Sequence, residues 1–248
     1  MDVIGSEVYS MNIGKCIIRT LMWRLRGALI LVFHHVTDSP DLKMSSCILA
    51  TNKFDDLVNK YSGYFISLNT LLKKKVILPR GIVITFDDGL EDVYTVAYPI
   101  LKSRNIPFTV FIVYNFLDTP GYITTEQLQE MAGNPIVTVG VHGMTHRVLT
   151  KLSSEEKKIE IVESKFILEK LLRKRLDLFA YSHGQYDGEC LSLVKFAGYQ
   201  SAFVVQSRPY NIITGRFRRK LPRISVTQGS WLYAESIIPL FLKDRRNK

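Results

Sequence analysis

The chain has 248 residues, 46% of them hydrophobic and 23% charged, with a formal net charge of +10 at pH 7. That length and apolar content support one sizeable domain with its own core, which excludes any need for a covalent staple. Three cysteines, Cys16, Cys47 and Cys190, are odd in number and form no CxxC. They argue against a disulfide framework and a cysteine-based zinc site, and they fit a reducing compartment.

In chain order, the N-terminus opens with Asp2 and Glu7 where a secretory leader carries basic residues. Ile13 to Arg26 mixes Ile17, Ile18, Leu21, Met22 and Leu25 with Lys15, Arg19, Arg24 and Arg26. It reads as an amphipathic segment, lying on an anionic membrane surface or packing as a helix on the domain. The expected organisation is an N-terminal segment over 1–27 and a domain over 28–248. The expected location is cytoplasmic, with peripheral contact at the inner membrane surface. Ala28 to Phe33 is a strand, too short to span a bilayer. Asn52 to Lys60 is a helix with Thr51 as its cap. Ile82 to Phe86 is a buried, β-branched strand. Asp92 to Arg104 has helical spacing that Pro99 should kink or interrupt.

Further strands are expected over Phe108 to Val113, Val137 to Val141, Asp177 to Tyr181, Ala202 to Val205 and Ile224 to Val226. Between them come helices over Thr124 to Met131, from Ser153 to about Arg173, and over Gly188 to Phe196. The second opens on a Ser153–Glu156 capping box, and Gly198 closes the third. A last helix covers Trp231 to Leu242. Strands alternating with helices imply a parallel sheet, and this many repeats favour a closed or distorted (β/α) barrel over an open sheet. Basic runs at Lys73-Lys74-Lys75, Arg216 to Lys220 and Lys243 to Arg246 attract acidic glycans or phospholipid headgroups. No nucleic-acid motif accompanies them, so no specific nucleic-acid partner is expected.

In either sheet form, catalytic groups belong at the C-terminal strand ends. There the sequence places Asp87-Asp88-Gly89, His142 and His146, Ser182-His183-Gly184, and His34-His35, which together include all five histidines. Two imidazoles and one carboxylate form a three-ligand set that keeps a coordination position open. Successive residues after a strand point in different directions. One aspartate of the pair is therefore expected to ligate and the other to remain free as a base. Taken alone, Asp-Asp-Gly also reads as a turn and His-x-x-x-His as an accident of a helix face.

The stretch Ile84-Thr85-Phe86-Asp87-Asp88-Gly89 resembles the first motif of the polysaccharide deacetylases, the NodB-homology group of carbohydrate esterase family 4. Val141 to His146 resembles the second motif, Phe179 to Asp187 the third, and Leu221 to Val226 the late arginine-bearing segment. Phe33-His34-His35-Val36 is similar to the opening strand of the poly-N-acetylglucosamine deacetylase branch. The resemblance implies a distorted barrel of seven or eight strands, with residues 28–248 as the catalytic domain. It implies a divalent metal on Asp88, His142 and His146, zinc first, with cobalt, nickel or iron as alternatives. Asp87 becomes the catalytic base, oriented by Arg223. Tyr181, Ser182 and His183 form the oxyanion and substrate turn, where backbone N–H groups around Ser182 and His183 hold the oxyanion. The substrate is an N-acetylated glycan or lipid-linked sugar precursor.

The sequence departs from the pattern in three places. Ser182 stands where a proline is usual, Ala180 stands where some members carry an arginine, which leaves Arg223 as the only candidate, and no histidine follows His183 to act as the general acid. His34 takes that role in the branch with a first-strand histidine, with His183 and His35 as fallbacks. These departures leave two alternatives, a catalytically degenerate barrel that binds glycan and a basic membrane-docked scaffold.

Overall fold

The computed structural model describes residues 28–38, 47–72, 81–205 and 218–242. The expected N-terminal segment and the basic runs at 73–75 and 243–246 lie outside them, as does Arg216.

Seven parallel strands close into a barrel: β1 Ala28–Phe33, β2 Gly81–Phe86, β3 Phe108–Ile112, β4 Val137–Val141, β5 Leu178–Ala180, β6 Ser201–Val205 and β7 Leu221–Ser225. Each pairs with its successor, and β7 returns to β1 through Leu31–Ile224 and Val32–Ser225. The helices are α1 Thr51–Lys60, α2 Leu68–Leu72, α3 over 91–103, α4 Thr125–Gly133, α5 over 154–172, α6 Gly188–Phe196 and α7 Trp231–Leu242. Side chains alternate along each strand, which produces two apolar clusters. Leu29, Leu31, Phe33, Ile82, Ile84 and Phe86 join the helices in the larger one. Ala28, Ile30, Val83, Phe111, Leu178 and Phe203 form the smaller one, against which Leu68, Leu71 and Leu72 of α2 pack.

Three expectations are corrected, and one element is new. Thr51 is the first residue of α1 and not its cap; its N–H donates to the Asp38 carboxylate at 2.9 Å, so a loop residue satisfies the helix start. Pro99 does not interrupt α3. The turn before it, Val93–Ala97, is π-type, and the Tyr98 N–H reaches back to the Val93 carbonyl, so the widened turn accommodates the proline at the start of the next α-helical stretch. The last strand begins at Leu221 rather than Ile224. Pro222 sits where β7 pairs only with β6, before pairing with β1 begins, so one strand side can lack a donor there. A parallel two-residue ladder, His35–Val36 with Ile48–Leu49, was not expected.

Candidate metal centre

The strand register brings the titratable residues to one end of the barrel. The Asp87 N–H donates to the Phe33 carbonyl, setting Asp87 beside His34, and the His142 N–H donates to the Ile112 carbonyl. After β2, alternation continues through Thr85 to Asp87, whose side chain enters the barrel. Asp88 then turns into the left-handed region at φ 72°, and Gly89 follows at 75°. His146 has φ 62°. Such conformations cost a non-glycine residue about 1–3 kcal/mol and concentrate at functional sites.

One ligand atom each from Asp88, His142 and His146 lies within 4.8 Å of the others. Asp88 Oδ1 is 3.4 Å from His142 Nε2 and 3.3 Å from His146 Nε2. This buried oxygen has no hydrogen-bond partner among the described residues, although buried acceptors are nearly always paired. The other nitrogen of His142, Nδ1, donates to the Ala180 carbonyl at 2.8 Å. That bond leaves the Nε2 lone pair facing the site. One carboxylate oxygen and two imidazole nitrogens thus converge, and the donor set fits a divalent cation. Without one, burial and the neighbouring His142 push His146 down to about 4, against the opposing pull of Asp88.

Both carboxylates approach His142, Asp87 Oδ2 at 3.7 Å. Among the described residues only Asp88 joins both imidazoles in the three-ligand cluster, and the surroundings of the two carboxylates differ as well. Arg223 separates them. Its two terminal nitrogens donate to the two oxygens of Asp87, each at 2.6 Å, and Nη1 also reaches Thr85 Oγ1 at 3.3 Å. The guanidinium is fully buried, 5.0 Å from the Phe111 ring centre and 6.0 Å from that of Phe203. Burial alone would raise the Asp87 pKa. The Arg223 charge, the neighbouring His142 and the Arg223 hydrogen bond outweigh it and hold the group at about 2.

His34 Nδ1 is buried and without a hydrogen-bond partner among the described residues. His35 instead donates through Nδ1 to Asp92 Oδ2 at 2.6 Å. His183, at φ 56°, stacks on His146 with ring centres 4.5 Å apart and donates from Nε2 to the His146 carbonyl at 3.1 Å. Ser182 Oγ donates to the His142 carbonyl at 3.0 Å. Tyr181 precedes the two expected N–H donors and is itself anchored in the fold. Its N–H is engaged by the Phe203 carbonyl and its hydroxyl by the Arg219 carbonyl. Thr85 was missed, although its inward register beside Asp87 was readable from strand alternation. Glu160, which accepts bonds from the loop between the two histidines, was also missed, and no local signal marks it.

Residues 74–202 match the sequence profile described as Polysaccharide deacetylase. A poly-beta-1,6-N-acetyl-D-glucosamine N-deacetylase of Staphylococcus aureus (strain MSSA476) is 26% identical over 245 residues, covering 86% of this chain and 83% of its own. Two solved structures share the fold. IcaB from Ammonifex degensii superposes with a TM-score of 0.74 at 22% identity, over 85% of this chain and 96% of its own. Deacetylase PplD of Streptococcus pyogenes, in complex with acetate, gives 0.73 at 23% identity, over 81% and 92%.

Proposed function

Because this chain belongs to the polysaccharide deacetylase family, we propose that it is a hydrolase removing N-acetyl groups from an N-acetylated glycan, with a divalent cation held by Asp88, His142 and His146. Zinc is the metal we assign. The observation that carries the reading is the division of labour between adjacent carboxylates: Arg223 occupies both oxygens of Asp87, while Asp88 Oδ1 lies unpaired between two imidazole nitrogens.

Electrostatics favour the same reading. A carboxylate at about 2 stays ionised at every physiological pH, yet it is a weak base. Taking a proton from free water would cost it roughly 19 kcal/mol. A bound cation supplies the missing acidity, polarising the acetyl carbonyl and lowering the pKa of water toward about 7, which brings that cost to about 7 kcal/mol.

Within this reading Asp87 accepts the proton of the attacking water as its oxygen bonds to the acetyl carbon. The N–H groups of Ser182 and His183 receive the negative carbonyl oxygen. His34 then protonates the amide nitrogen as the C–N bond breaks, releasing acetate and an amino sugar. The unpaired Nδ1 of His34 favours it over His35, whose Nδ1 is held by Asp92. The closest substrate classes are N-acetylglucosamine polymers and lipid-linked precursors, the latter reached from a membrane surface. No helix among the described residues is long and apolar enough to cross a membrane.

An acetate-release screen over N-acetylated glycans, with and without added zinc, tests the reading. Release that depends on metal and stops on chelation is the expected result. Glycan binding with no release under any metal would favour the degenerate alternative.

A further inference from the structure

Glu160 is buried, 2% exposed, and has no part in the proposed chemistry. It stands in a π-type turn of α5, Ile159–Glu163, and the hydroxyls of Ser164 and Tyr199 donate to the Glu160 and Ile161 carbonyls in that turn. The widened turn carries the carboxylate to the loop joining His142 to His146. There Oε2 accepts the N–H groups of Met144 at 2.7 Å and Thr145 at 3.0 Å, and Oε1 accepts the Thr145 hydroxyl. Consecutive N–H groups after a left-handed residue make a concave anion seat, and Gly143 supplies that residue at φ 97°. A Cβ on Gly143 would lie 2.6 Å from Glu160 Oε2, so glycine is what admits the carboxylate.

Resting on the metal-centre reading above, we infer that Glu160 is a positioning residue that fixes the bite of His142 and His146 by filling the backbone seat between them. It touches neither metal nor substrate and acts through the loop, as partners of metal ligands commonly do, with losses of about 10–100-fold in metal affinity when they are removed.

The test is competition between the full-length protein and a chromophoric chelator for Co²⁺, together with the visible absorption of the cobalt-loaded protein. Glu160→Gln keeps the shape and removes the charge. It should raise the Co²⁺ Kd at least tenfold and alter the intensity of the cobalt band, while the metal-free variant keeps the wild-type circular dichroism. A Kd within twofold of wild type with an unchanged band overturns the inference. Should Glu160→Gln fail to fold, Thr145→Val, which removes only the hydroxyl contact, decides it: a Kd raised severalfold supports the inference and an unchanged one overturns it. If wild type itself bound no Co²⁺, the metal-centre reading would fail and this inference with it.

Discussion

Arg223 shows how one buried cation divides two neighbouring acids. Removing one partner of a buried pair leaves the other charged and desolvated, at a cost of about 3–5 kcal/mol. Arg223→Met should therefore lower unfolding free energy by that amount at pH 7 in urea. The pH dependence follows from the sign of the shift. Asp87 is held at about 2, below its ordinary 3.8, so its contribution is fully present above 3.8 and is lost as pH falls through about 2. With Arg223 gone, burial dominates and the Asp87 pKa rises, so the gap between variant and wild type should narrow as pH falls toward 4. A loss below 1 kcal/mol, or one unchanged by acid, would contradict this account. Residue types were legible in the sequence wherever they followed a strand: Asp87, Asp88, His142 and His146 stand one or a few residues beyond an apolar run. Glu160 was not, because its role exists only once α5 lies against the loop after β4.

The elements that hold this site are built with little slack. Gly140 in β4 faces Phe111, and a Cβ there would lie 2.5 Å from two atoms of the Phe111 ring. That ring also supports the Arg223 guanidinium. Gly140→Ala should destabilise the fold by about 1–3 kcal/mol through overpacking and should lower turnover by disturbing the Arg223–Asp87 pair. Thermal denaturation and acetate release measured on the same variant check both effects, and a stable, fully active Gly140→Ala would show that the ring has room to move. Apolar runs made six of the seven strands legible to within one or two residues at each end, and the capping box read at Ser153 falls where a helix starts. The exceptions have physical causes. Pro222 hid the start of β7, a two-residue ladder is too short to leave a periodic signal, and π-type turns in α3 and α5 are invisible to a 3.6-residue period.

At the scale of the molecule, closing seven parallel strands collects all five histidines and both aspartates at one end of the barrel. The alternation of strands and helices announced a parallel sheet, and the seven strands it marked close into the barrel that so many repeats favoured; only the register of β7 on β1, which joins residues nearly two hundred positions apart, left no local mark. That collection of strand ends is what brings one carboxylate and two imidazoles together beside a second, arginine-paired carboxylate. The most direct test is metal content and acetate release measured side by side for wild type and Asp87→Asn. One equivalent of bound divalent metal in both, with acetate released only by wild type, is the result this account predicts. Near-normal release from Asp87→Asn, or wild type that releases acetate at full rate with no metal bound, would contradict it.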